Sequence, residues 1–344
     1  MDSIGLLVDV SKRDGVGGRI VEVLKEAAAL VGEDISYLEN CLASACVDAP
    51  GRLSDVCGHI VGSGGKHVRP VLCLLAFRAL RGEGPLPMDL AATCELLHDA
   101  TLLHDDVIDE GDARRGKPTA RVVYGNALSV LGGDYLLIKT IETVSGRDPA
   151  FMEEYVNTLK QLIKGELVQL QRRGSVDTSE MDYFRIIEGK TANLFRWSVY
   201  SGVLAAGADE KICRTMGNFG WHVGVAFQLM DDILDFTADA GLLGKNLLSD
   251  IQEGKMTLPV ILAAKESPSL RHLLSQLIAE APKPMISKRI AETVIESGII
   301  EKVKEYAVDH TAKGLAALRS VDRGDARIFD VIENLASALL VRDF

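Results

Sequence analysis

Between Pro149 and Pro259 the chain contains no proline, and through most of that stretch apolar residues recur at three- and four-residue spacings. Proline removes a backbone donor and clashes with the preceding turn, so a run this long without it leaves helices free to extend. The same period, with charges on the opposite face, marks RIVEVLKEAAALV and EKVKEYAVDHTAKGLAALRSV nearer the two ends. No succession of strands with hairpin turns is visible, nor any regular βα alternation. Glycine and proline mark short loops around 62–65, 82–87, 111–118 and 241–254. No low-complexity linker divides the 344 residues, so the expectation is a single all-α domain over 1–344. Composition agrees: 47% of residues are hydrophobic but only 5% aromatic, with Leu, Ala, Ile and Val supplying the core.

A formal charge of −11 argues against a general nucleic-acid binder, because phosphate backbones select basic surfaces. It does not exclude a phosphate substrate, since metal ions and a few local cations can reverse the field in one cleft. The six cysteines are scattered without a CxxC pair, which suits buried, reduced thiols. The opening MDSIGLLVDVSKRDG has too short an apolar stretch for a signal peptide, and no run reaches the roughly 20 apolar residues of a membrane span. A cytoplasmic protein without a membrane span is expected.

One short pattern occurs twice. LLHDDVIDE places Asp105, Asp106 and Asp109 in the form DDxxD, and FQLMDDILDF repeats it with Asp231, Asp232 and Asp235. On a helix, residues four apart share a face, so each motif presents two like charges side by side. A divalent cation offsets that repulsion, and an all-oxygen donor set suits Mg²⁺ rather than zinc. One DDxxD on a solvated helix usually means nothing. Two copies within apolar surroundings are harder to dismiss, because carboxylates on the apolar side of a helix are costly unless paired or metal-bound.

Basic residues accompany the acids. GSGGKHVRP supplies Lys66, His67 and Arg69 before Pro70, which is placed to open a helix whose N-terminus favours an anion. Arg114 and Arg115 follow the first motif, and adjacent guanidiniums suit bidentate phosphate binding. Lys190-Thr191 lie in EGKTANLF, and Lys245 and Lys255 in the loop after the second motif; singly, each lysine reads as an ordinary surface residue. Glu95 and His98 form one ExxH pair, but none of the other six histidines has Glu three residues before it. A di-iron site, which needs two such pairs, therefore fails on ligand count.

In this order, GGKHVRP, LLHDDVIDEGDARRGKPTA, GKTA, FQLMDDILD and a final GK before DIQEGKMTLP resemble the trans-isoprenyl diphosphate synthases, or polyprenyl synthetases. The motifs run from about residue 64 to 259. The resemblance implies an isoprenoid-synthase fold, an antiparallel helical bundle around a deep central cavity, usually as a homodimer. It implies head-to-tail condensation of isopentenyl diphosphate with an allylic diphosphate, giving an elongated all-trans polyprenyl diphosphate, with three Mg²⁺ when the allylic diphosphate is bound. By the same resemblance Lys66, Arg69, His98 and Arg115 hold isopentenyl diphosphate, while Arg114, Lys190, Lys245 and Lys255 hold the allylic diphosphate. Asp105, Asp109 and Asp231 are the direct metal ligands; Asp106, Asp232 and Asp235 act through water or as supports. The resemblance makes Lys190, Thr191, Gln228 and Lys245 catalytic, with Thr191 and Gln228 near the reacting carbon. His67 and Asp99 receive no role. Ala100 and Thr101, five and four residues before Asp105, stand where the family sets product length, and their small size implies a medium- to long-chain product. A lower floor is then sought at Leu136, Leu137 or Ile138. A terpene cyclase of related fold also uses DDxxD but needs no second diphosphate site, and a non-catalytic partner subunit commonly has degraded motifs. Diphosphate release from isopentenyl diphosphate plus an allylic primer, with and without Mg²⁺, separates the three readings.

Overall fold

The computed structural model describes residues 18–65, 67–82, 87–237, 248–279, 284–322 and 324–340. The chain enters through α1 (Gly18–Leu30), α2 (Gly32–Val47), α3 (Leu53–Val61) and α4 (Val68–Ala79), which lead into the long α5 (Met88–Ile108). A minimal hairpin follows, β1 (Ala113–Arg114) against β2 (Lys117–Pro118), antiparallel with Ala113 opposite Pro118. The loop expected at 111–118 thus contains a two-residue ladder. Its turn residues Arg115 and Gly116 both have positive φ, 50° and 73°, as a type I′ turn requires.

Next come α6 (Ala120–Tyr124), α7 (Asn126–Ser145), α8 (Pro149–Arg172) and α9 (Glu180–Ile187). A π-helical turn over Glu188–Ala192 joins α9 to α10 (Asn193–Ala205). After α11 (Glu210–Thr237) the chain continues through α12 (Ser249–Gln252), α13 (Leu258–Glu266), α14 (Pro268–Ala279), α15 (Pro284–Glu296), α16 (Ile299–Arg319) and α17 (Ala326–Ala338). Part of the loop expected at 241–254 is therefore helical. Local chemistry explains several boundaries. Asp148 accepts from Ala150 N–H with Pro149 opening α8, Ser179 and Asp182 form a reciprocal capping box on α9, and Asp325 accepts from the first amides of α17. Helix α4 begins two residues before Pro70, which falls within the first turn, where its missing N–H has no intrahelical partner to lose.

Buried apolar residues form two clusters. One gathers Leu72, Leu97, Phe195, Trp197 and Phe219 with much of α1–α5, α7, α10 and α17. The other gathers Ile233, Leu258, Leu262, Ile290 and Ile300 from the C-terminal helices. Helix α11 belongs to both, giving Phe219 and Val223 to the first and Val225, Leu229 and Ile233 to the second. It packs along α10 and α16, while α5 packs against α7 and α4. All six cysteines are free thiols, five buried and Cys41 half-buried. Among the described residues no helix is long and apolar enough to cross a membrane.

Candidate active site

The two aspartate motifs close the C-terminal part of α5 and occupy the second half of α11, and they repeat one burial pattern. Asp105 and Asp109 are half-buried with Asp106 buried; Asp231 and Asp235 are half-buried with Asp232 buried. The four-residue helical spacing puts the first and last acid of each motif on one face and turns the second inward. Each acid of the first motif meets a different cation. Lys190 Nζ stands 3.3 Å from Asp105 Oδ2 and also pairs with Glu166. Arg114 donates from Nε and Nη2 to Asp106 Oδ1 at 3.0 and 2.8 Å. Lys255 Nζ donates to Asp109 Oδ2 at 2.6 Å. Burial alone would lower the Lys255 ammonium, but Glu253 and Asp109 raise it above the usual lysine range.

The position of Lys190 comes from the π-turn and a close crossing. A Cβ on Gly189 would lie 2.7 Å from both Gln161 O and Gly165 Cα on α8. Only two facing glycines allow that approach, and each is followed by a charged residue: Gly165 by Glu166, Gly189 by Lys190. Single π-turns recur where a functional side chain must be re-aimed. One residue later, Thr191 Oγ1 donates to Gln228 Oε1 at 2.9 Å, and Gln228 Nε2 donates to Asp232 Oδ1 at 2.9 Å. Tyr183 Oη donates to Asp232 Oδ2 at 2.7 Å, so both Asp232 oxygens are occupied by protein donors. Burial, and then the neighbouring Asp250, hold the Asp232 carboxyl well above the usual carboxylate range.

A second group of charges gathers where the entry to α4 meets α5. Arg69 lies over the Phe195 ring, 4.9 Å from its centroid, and its Nε has no hydrogen-bond partner among the described residues. Arg115 Nη1 donates to Ser63 Oγ at 3.3 Å, and His67 Nδ1 is 3.1 Å from Glu95 Oε1. Burial and then Arg69 hold the His98 imidazole well below the usual histidine range, with Glu95 opposing and Arg115 and Arg114 adding to the shift. Hence Arg69, His98 and Arg115 come together on one side, and Arg114, Lys190 and Lys255 come together at the first motif. Lys66 and Lys245 lie outside the described residues.

The half-buried carboxylates of Asp105 and Asp109 on α5, and those of Asp231 and Asp235 on α11, are hard oxygen donors of the kind that suit a divalent ion. Among the described residues no three acidic, histidine or cysteine side chains form a closed cage, so any ion held by these carboxylates would take the rest of its shell from water or substrate oxygens. Residues 50–294 match the family model described as polyprenyl synthetase. The chain belongs to the polyprenyl synthetase family. It is similar to the all-trans-nonaprenyl-diphosphate synthase (geranyl-diphosphate specific) of Rhodobacter capsulatus, with 35% identity over 302 residues, 87% of this chain and 92% of that one. It is also similar to the octaprenyl diphosphate synthase of Escherichia coli K12, with 36% identity over 266 residues, 76% of this chain and 81% of the relative. The polyprenyl synthase of Caulobacter crescentus CB15, solved in complex with calcium and isoprenyl diphosphate, shares 31% identity at a TM-score of 0.86. That match covers 93% of this chain and 98% of the other. As a member, the chain has the all-α isoprenoid synthase fold and is a prenyltransferase that condenses isopentenyl diphosphate with an allylic diphosphate.

Other features of the synthase were not read from its sequence. Arg173 donates from Nη1 to Ile108 O at 3.0 Å and from Nε to Glu253 O at 3.1 Å, tying the end of α5 to the turn that bears Lys255. Glu166 and Tyr183 stand behind Lys190 and Asp232. The signal for Glu166 was its place directly after a glycine; for Arg173 and Tyr183, which act through contacts distant in sequence, there was none. Of the residues linked to product length, Ala100 is buried and Thr101 Oγ1 donates back to His98 O at 2.7 Å. Leu136 is enclosed, Leu137 is half-buried, and Ile138 is 51% exposed. Ile138 is therefore no floor within this chain: two residues along a helix is about 200°, which turns it away from Leu136.

Proposed function

We propose that this synthase is a medium- to long-chain member that extends an allylic diphosphate to an all-trans product of roughly thirty to fifty carbons. The observation that carries this reading is the small size of Ala100 and Thr101, one turn before Asp105 on α5, or roughly 6–8 Å along the axis. A growing tail passes there unless an aromatic side chain blocks it. The names of the relatives, octaprenyl and nonaprenyl diphosphate synthase, point the same way. Residues 1–344 act as one domain.

Asp105, Asp109 and Asp231 would hold Mg²⁺, three ions with the allylic diphosphate bound, and Asp235 and Asp106 support them. When bound, the ions supply positive charge that stabilises the departing diphosphate. Lys190, Lys255, Arg114 and Lys245 meet the same oxygens from the protein side. Asp232 fixes the Gln228 amide, whose orientation aims the Thr191–Gln228 dipoles at the carbon that becomes electron-poor. Arg69, His98, Arg115 and Lys66 hold isopentenyl diphosphate, so its double bond reaches that carbon and the lost proton passes to the released diphosphate. The enzyme acts in the cytoplasm as a homodimer; exposed Leu131 and Ile138 on α7, with Ile163, Leu167 and Leu170 on α8, offer an apolar surface for a second copy. Chromatography of dephosphorylated products tests the chain-length reading. A longest product of only ten or fifteen carbons would overturn it.

A further inference from the structure

Glu95 is a buried carboxylate on α5 with no role in the scheme above. Its surroundings are cationic. His67 Nδ1 stands 3.1 Å from Glu95 Oε1. The backbone at Gly65 passes so close that a Cβ there would lie 3.2 Å from that oxygen and 3.6 and 3.7 Å from the Arg115 guanidinium nitrogens. Arg69 and His98 both sit within the field of Glu95. The residue before α4 also holds a conformation that a side chain disfavours: His67 has φ 45°, in the left-handed region. Such a residue persists only where its neighbours over-determine it, and a buried carboxylate persists only where cations meet it. The Glu95–His67 contact, an ion pair rather than an aligned hydrogen bond, bears on both requirements at once.

We propose that Glu95 is a positioning residue for isopentenyl diphosphate: through His67 it fixes the entry to α4, so that Arg69 and Arg115 stand together to receive one diphosphate. This rests on the reading of Arg69, His98 and Arg115 as the isopentenyl diphosphate side. The charge balance supports it. Burial would raise the Glu95 carboxyl, yet His67, His98 and Arg69 pull it down to about 2, so it is ionised at neutral pH. Four residues on, burial and then the Glu95 charge push Asp99 up to about 8, so that carboxyl keeps its proton. With one acid charged and one neutral, Arg69 and Arg115 leave the cluster an excess of positive charge.

Initial-rate kinetics on Glu95→Gln, Glu95→Asp, His67→Gln and Arg69→Ala test it, each substrate being varied with the other saturating. Glu95→Gln is expected to raise the KM for isopentenyl diphosphate roughly tenfold or more, with kcat and the allylic KM within about twofold. His67→Gln raises the same constant by a smaller factor, and Glu95→Asp recovers part of it. Parallel rises in both KM values, a fall in kcat alone, or no change overturns the proposal. Should Glu95→Gln fail to fold, His67→Gln decides, and an unchanged KM for isopentenyl diphosphate overturns it. Arg69→Ala separates the two levels. If it leaves that KM unchanged, the assignment of this side of the site fails; if it raises it while Glu95→Gln does not, only the positioning role fails.

Discussion

Asp105 and Asp231 occupy the open first position of their motifs, with Asp106 and Asp232 turned inward behind them. Asp105→Ala and Asp231→Ala should each lower turnover about a thousandfold, since an interaction made at the leaving diphosphate is worth several kcal/mol. Unfolding by circular dichroism should shift little; near-normal turnover at saturating Mg²⁺ would remove both from the site. Asp99 behaves in the opposite sense. Its native carboxyl titrates at about 8 against about 3.9 for an unfolded aspartate, so between those values the native state holds a proton that the unfolded chain has lost. Its contribution is therefore present at low pH and is lost as pH rises toward 8. Asp99→Asn should be more stable than the parent at pH 8, on the order of a few kcal/mol, and its stability should fall less steeply between pH 5 and 8. Denaturant titrations across that range decide the point, and parallel curves for the two proteins would refute it.

Among the elements, the crossing of α8 with the π-turn sets the position of Lys190. Gly189→Ala would press a methyl group onto the α8 backbone and should cost about 1–3 kcal/mol by thermal or chemical unfolding. It should also reduce kcat more than that loss explains, because Lys190 moves with the turn; unchanged kcat would show that the crossing is structural only. The seam between α11 and α16 carries His222 and His310, whose Nδ1 atoms are 3.1 Å apart, so one ring must remain neutral to accept. Burial and then His310 push His222 down to about 4, and burial with Lys313 pushes His310 down. An imidazole unfolded near 6.5 and folded lower keeps its full contribution above 6.5 and loses it as pH falls toward 4. His222→Gln should flatten that acid limb in melts at pH 4–6.5, and an unaltered slope would refute this. Helices and their acidic motifs were legible because period and spacing are local properties. The π-turn was not: EGKTA has the composition of any helix, and its wider winding follows from a glycine contact with α8, twenty-four residues earlier. The β1–β2 hairpin was missed for the converse reason, since Arg115 stands where asparagine or glycine normally signals a type I′ turn.

At the level of the whole molecule, Ala100→Phe should shorten the longest product while the first condensations proceed, as read by chromatography; an unaltered product profile would move the floor elsewhere. The exposed apolar faces of α7 and α8 were hidden from the sequence because their period matches that of any core-facing helix. Leu131→Asp should shift the sedimenting species from dimer to monomer, and no shift would clear that face of a part in assembly. The ion pairs at the first aspartate motif have a consequence for both ligands together. Lys190, Arg114 and Lys255 each face one aspartate of the motif, so the resting synthase satisfies its own charges. On the proposed assignment, diphosphate arriving alone would draw Lys190 and Lys255 away from Asp105 and Asp109, and a divalent ion arriving alone would displace those lysines with no anion to take them up. If both arrive, each would take the group the other releases, and the site would behave as an AND gate. By thermodynamic reciprocity, diphosphate tightens ion binding by the same factor by which the ion tightens diphosphate binding. Calorimetric titration with inorganic diphosphate, with Mg²⁺ and then with EDTA, should give affinities that differ at least roughly tenfold, a coupling of about 1.4 kcal/mol. Equal affinities would mean that the pairs open without cost.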